Sequence, residues 1–299
     1  MTQRIAHSLR GLLSAALTVA TLTWVTASTH AQAQQPPAAP AQSAAKQESA
    51  PAAPAPATTQ RPQTSKTELV SLLKTIDERQ RNQGDWRSDV YIEQKEKGKV
   101  AVVYNAIVYR RSADQRFIIL FTAPKNVVGQ GYLRVDKNLW FYDPAVGKWE
   151  RRTERERIGG TNSRRSDFDE SRLAEEYDPS DAGEEKLGAY NAQRVDLKGK
   201  SGLDLAFPVI KLWVDKDTHN VLKRQEFALS GRLLRTSYYP KWKKVFSESK
   251  KQDVWFPQEI RFYDEVEKEN STLVLIKAVD LHSLEQNLFT KAWLESKSR

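Results

Sequence analysis

Leu69, Leu72, Leu73 and Ile76 lie three and four residues apart within SKTELVSLLKTIDERQRNQG, so one apolar stripe runs along a predicted helix. Ser65 and Glu68 stand as S-x-x-E ahead of that stripe, the spacing of a capping box, and Gly84 marks the stop. A helix with a single apolar face needs a surface to cover. From Trp86 onward the period shortens. WRSDVYIEQKEKGKVAVVYNAIVYRRSADQRFIILFTAP divides into three strands, with turns at Lys97-Gly98 and Ser112-Ala113-Asp114. GQGYLRVDKNLWFYDPAVGKWERR continues the meander through Asp136-Lys137-Asn138 and Asp143-Pro144. Six further stretches, beginning at YNAQRVDLKGK and ending at STLVLIKAVDL, repeat the strand–turn rhythm. The pattern predicts a mainly β (α+β) domain whose antiparallel sheet has about ten to twelve strands.

Several strands do not alternate. Val102, Val103, Tyr104, Ile107, Val108 and Tyr109 crowd one strand, and Phe117 to Phe121 form an unbroken apolar run. A sheet with one wet face alternates apolar and polar positions, so these strands are expected to be covered on both sides. A plain packed core and a lined cavity both satisfy that pattern. SDFDESRLAEEYDP reads as a short helix. Asp169 would cap it, Phe168 and Leu173 would form a hydrophobic staple, and Asp178-Pro179 would end it.

The beginning of the chain changes the picture. Arg4 and Arg10 precede an uncharged stretch and then THAQA, the anatomy of a secretory signal peptide over residues 1–33. Residues 34–66 carry seven of the thirteen prolines, together with many alanines, and read as a Pro/Ala-rich disordered linker. The folded domain is expected over 67–299. Nothing later in the chain reaches a transmembrane length. The formal charge of +9 falls to +7 without Arg4 and Arg10, which allows transient contact with anionic lipid and fits nucleic acid poorly in an exported protein.

There is no cysteine, so thiolate catalysis, disulfides and Cys-ligated metal are excluded. His219 and His282 lack metal-type spacing, and no G-x-S-x-G is present. GQG at 129–131 leads into a strand and reads as a turn, not a phosphate loop. Glu150 to Glu170 hold six arginines and six acids, a balance expected of self-paired surface ladders. Neither an enzyme nor a cofactor is implied.

FTAPKNVVGQGYLRVDKNLWFYDPAVGKWERR, GTNSRRSDFDESRLAEEYDP, KLWVDK, SGRLLRTSYY and FTKAWLESKSR together resemble the outer-membrane lipoprotein-sorting-protein-like family, the LolA-like periplasmic proteins. The resemblance spans nearly all of 67–299. It implies a curved antiparallel half-barrel covered by helices, with a cavity for the acyl chains of a lipid or lipoprotein. It also implies a periplasmic location and an association with inner-membrane exporters of the RND superfamily. Under that reading Leu69, Leu72, Leu73 and Ile76 would form the helix side of the cavity. The wall would draw on Ile107, Tyr109, Phe117, Ile119, Phe121, Trp140 and Tyr142. Alternation places Phe117, Ile119 and Phe121 on one face, and Trp140 with Tyr142 on one face, without saying which is inside. The alternative is a periplasmic sensor or adaptor that binds a protein partner instead of cargo. Regulators of that kind carry an extra C-terminal domain, for which the residues after the last strand leave no room, so the carrier is favoured.

Overall fold

The computed structural model describes residues 63–81, 84–153, 157–168 and 171–298. The signal peptide, nearly all of the linker and Asp169 lie outside them. Helix α1, Lys66–Arg81, begins as the capping box predicts. The Ser65 backbone N–H donates to Glu68 Oε2 at 2.8 Å, and the Glu68 N–H donates to Ser65 Oγ at 3.3 Å. Two of the helix's orphan donors are thereby satisfied.

Thirteen antiparallel strands form one curved sheet. β1 (Asp85–Lys95), β2 (Val102–Arg111), β3 (Arg116–Ala123), β4 (Gly131–Val135), β5 (Asn138–Asp143) and β6 (Lys148–Arg152) step outward to one edge. The chain then crosses one face of the sheet and resumes at the opposite edge. From there β7 (Tyr177–Leu187), β8 (Tyr190–Gly199), β9 (Val209–Asp215), β10 (Val221–Phe227), β11 (Leu233–Ser247), β12 (Gln252–Asp264) and β13 (Ser271–Asp280) step back inward. The last strand pairs with the first, Arg87 opposite Asp280 and Lys95 opposite Ser271. Two meanders are thus joined along a central seam. We call the face that carries the crossing segment and α1 the inner face.

β7 is the strand that the periodicity hides. Its sequence YDPSDAGEEKL has the composition of a loop. It is an edge strand with β8 as its one neighbour, and its register shifts between Asp181 and Glu184, around Gly183 at φ +98°. Proline, a bulge and acidic side chains are tolerated at an edge, where they also discourage further pairing. Asp178-Pro179 therefore lies inside the strand, and the helix before it shrinks to α2, Leu173–Glu176. Phe168 and Leu173 do not staple it. Phe168 stacks on Phe117, with ring centroids 4.9 Å apart, while Leu173 packs with α1 and β7–β9.

The unbroken apolar run of β3 is explained by covers on both sides. Phe117, Ile119 and Phe121 join an inner cluster with Val90, Ile92, Val108, Tyr132 and Ile158. Ile118 and Leu120 face outward to Leu133, Leu288, Phe289 and Leu294. This outer cover is the C-terminal segment ending in helix α3, Lys291–Lys297, which the hydrophobic period does not announce. Gly131 is required for it. A Cβ there would come within 2.9 Å of the Ile119 carbonyl oxygen and 3.0 Å of a Leu294 methyl.

Candidate functional site

The inner face holds the site. β1 offers Trp86, Ser88, Val90 and Ile92 at strict two-residue spacing, so all four share that face. Val108 and Ile119 continue the wall across β2 and β3, and Phe262, Val274 and Ile276 across β12 and β13. The end of α1 covers it with Ile76, Arg79 and Gln80, and the crossing segment adds Ile158, Thr161 and Phe168. Tyr239, Trp242, Trp255, Phe256 and Pro257 close one end. These walls enclose a cavity of about 220 Å³. That is space for about seven waters at about 30 Å³ each, yet the wall is dominated by carbon. A hollow of this kind favours an apolar guest over water. A second hollow of about 480 Å³ lies beside it, lined by Tyr104, Phe121, Tyr132, Phe141 and Arg157.

The residues expected to line a cavity are distributed as follows. Ile76 and Ile119 line the first hollow and Phe121 the second. Phe117 is buried in the adjoining inner cluster. Leu69 and Leu73, with Leu72 at their margin, pack on β7–β9 as a separate core. Ile107, Tyr109, Trp140 and Tyr142 belong to the outer face. Ile107 is paired with outward-facing Leu120, and Tyr109 and Tyr142 pack in the outer cluster. Trp140 lies 3.7 Å beneath Lys291 Nζ of α3. Strand alternation fixed the groupings, and the covers decided the side. The β1 and β12 wall was missed, although W-S-V-I at alternate positions of β1 was a readable signal.

These observations meet the comparisons with known proteins. A family model described as an uncharacterized protein matches residues 113–296. A Vibrio parahaemolyticus domain described as an outer-membrane lipoprotein-sorting protein superposes with a TM-score of 0.66 at 16% identity, over 77% of this chain and 100% of its own. A LolA-superfamily protein from Nitrosomonas europaea gives 0.59 at 22% identity, over 75% and 97%. A DUF1329-family protein from Desulfovibrio piger gives 0.65 at 18% identity, over 77% and 100%. This chain belongs to the family of that model, and its fold is LolA-like. No curated protein matches it by sequence.

The crossing segment of this LolA-like chain is pinned at both ends and in the middle. Gly159 N–H donates to the Tyr132 hydroxyl at 3.1 Å, and Asn162 N–H to Thr272 Oγ1 at 2.8 Å. Asp77 of α1 accepts from the backbone N–H groups of Leu173 at 3.0 Å and Ala174 at 2.9 Å, capping α2 from a distance of nearly a hundred residues. Between these points lies a charge cluster. Arg235, 4% exposed, grips Asp167 with two N–H···O bonds of 2.6 and 2.8 Å and Glu226 with two of 2.5 and 3.1 Å. Arg224 Nε stands 2.8 Å from the fully buried Glu226. The balanced run 150–170 is therefore more than a surface ladder, because its Asp167 reaches inward to an arginine of β11.

Burial works to raise the Asp167 pKa, but Arg235 and the Arg164 N–H outweigh it and hold the carboxyl below its ordinary value. The same pairing outweighs burial at Arg235 and raises it well above the guanidinium norm. Burial pushes the Tyr239 hydroxyl at the cavity end up to about 12, so it stays neutral. His282 lies on the exposed surface beside Asp280, and His219 occupies a turn at φ +56°. Among the described residues no group of three or more His, Asp or Glu side chains is placed to hold a metal, and no helix is long and apolar enough to cross a membrane.

Proposed function

We propose that this LolA-like protein is a periplasmic carrier that holds the acyl chains of a lipid or lipoprotein in the inner-face cavity. It would serve outer-membrane lipid or lipoprotein transport, or an exporter of the RND superfamily. The observation that carries the reading is the carbon-lined hollow under α1 and the crossing segment. Acyl chains in water cost about 0.8 kcal/mol per methylene, on the order of 12 kcal/mol for sixteen carbons, and an enclosed apolar site offsets that cost. In this reading Ile76, Val90, Ile119, Val274 and Ile276 touch the guest. Residues 1–33 direct export and 34–66 act as a tether to the domain that follows.

The test is mass spectrometry of the protein purified from an exporting host, together with titration of a fluorescent fatty acid. Bound acyl species and saturable probe binding are expected. Val274→Trp would fill the hollow and lower probe affinity at least about tenfold, the equivalent of about two displaced methylenes. Protein free of lipid, with the variant and the parent binding probe alike, would end the carrier reading. Recovery of a regulatory protein in place of lipid would favour the adaptor.

A further inference from the structure

We propose that the far half of the β11–β12 hairpin is a docking arm for the surface of an anionic phospholipid bilayer. The two strands are the longest of the sheet, and their neighbours do not follow them to the end. β10 accompanies β11 as far as Tyr238, and β13 accompanies β12 over Glu259–Tyr263. Beyond those points Lys241–Ser247 and Gln252–Pro257 have each other as strand partners. The arm carries Lys241, Lys243, Lys244, Lys250 and Lys251 against Glu248 and Asp253. Phe246, near its tip, is 59% exposed and stands opposite Asp253.

A large exposed ring on a net-basic hairpin matches the chemistry of a lipid interface. The amines meet headgroup phosphates, and the ring enters the acyl boundary. Highly charged partners without an apolar layer leave Phe246 unexplained. The arm's base is also the end wall of the cavity, through Trp242, Trp255 and Phe256. Lys244 is paired with Trp255 and its Nζ lies 5.3 Å from that ring, so a lysine of the arm abuts a side chain of the cavity wall. Docking by this arm would bring that end of the cavity to the bilayer, a consequence that rests on the carrier reading; the docking itself does not.

The experiment is co-sedimentation of the protein with phosphatidylcholine vesicles and with mixed phosphatidylcholine–phosphatidylglycerol vesicles, at low and high salt. Binding to the mixed vesicles alone is expected, weakening as salt shortens the Debye length below about 10 Å. Reversing Lys243, Lys244 and Lys251 to Glu should lower partitioning at least about tenfold. Phe246→Ser should weaken it at low salt and at high salt alike. Reversal of Lys97 and Lys99, on the β1–β2 turn, should leave it unchanged. Equal binding to neutral vesicles overturns the proposal, as does an undiminished arm variant or an equal loss from the Lys97/Lys99 control. A far-ultraviolet circular dichroism spectrum unchanged from the parent shows that each variant is folded. A parent protein that docks on vesicles but takes no probe would refute the carrier and leave the arm standing.

Discussion

Single side chains hold the crossing segment over the cavity, and Arg235 is the foremost of them. Removing one partner of a buried, multiply bonded ion pair leaves the other uncompensated. Asp167 is 19% exposed, so Asp167→Asn is expected to cost about 2–3 kcal/mol, measured by urea unfolding. Glu226→Gln, at a fully buried site, should cost more, about 3–5 kcal/mol. The pH dependence follows from the sign of the shift. The Asp167 carboxyl is held below its unfolded value, so its stabilisation is present above about pH 4 and lost as pH falls through the depressed value. Asp167→Asn should flatten that acid limb in an unfolding series. The cluster could not be read from the sequence. Its members stand at 167, 226 and 235, and a charge count over the neighbourhood of Asp167 sums to nothing.

At the scale of elements, the legible parts were those with local causes. The α1 capping box, the stripe ending at Ile76 and the turns of the first meander each depend on residues a few positions apart. What stayed hidden depends on distant neighbours. β7 looks like a loop because an edge strand tolerates Pro179 and Gly183. α2 has no cap of its own because Asp77 of α1 supplies one. Asp77→Ala should therefore cost about 1–2 kcal/mol and speed amide exchange at Leu173 and Ala174. The inward or outward direction of Trp140 and Tyr142 depends on α3, whose contact with the sheet is set by Gly131. Gly131→Val should force α3 away and destabilise by about 1–3 kcal/mol, with a shift in Trp293 fluorescence as its optical sign.

For the whole molecule, the layers explain why an antiparallel sheet can be apolar on two faces. One cover, made of α1 and the crossing segment, leaves a hollow beneath it. The other, made of the C-terminal segment, is packed tight against Ile118, Leu120 and Leu133. The expected half-barrel was therefore legible as a class, from strand rhythm and family resemblance. The position of its hollow was not, because that depends on how completely each cover fills its side.

The central seam has a kinetic side. β1 and β13 lie next to each other in the sheet but nearly two hundred residues apart in the chain, Arg87 against Asp280. Each meander can assemble by adding neighbouring hairpins, yet their union must wait for the last strand. Such distant pairing slows folding, and a time of milliseconds to seconds is expected in stopped-flow refolding. A polypeptide emerging from a pore N-terminus first cannot complete this sheet midway.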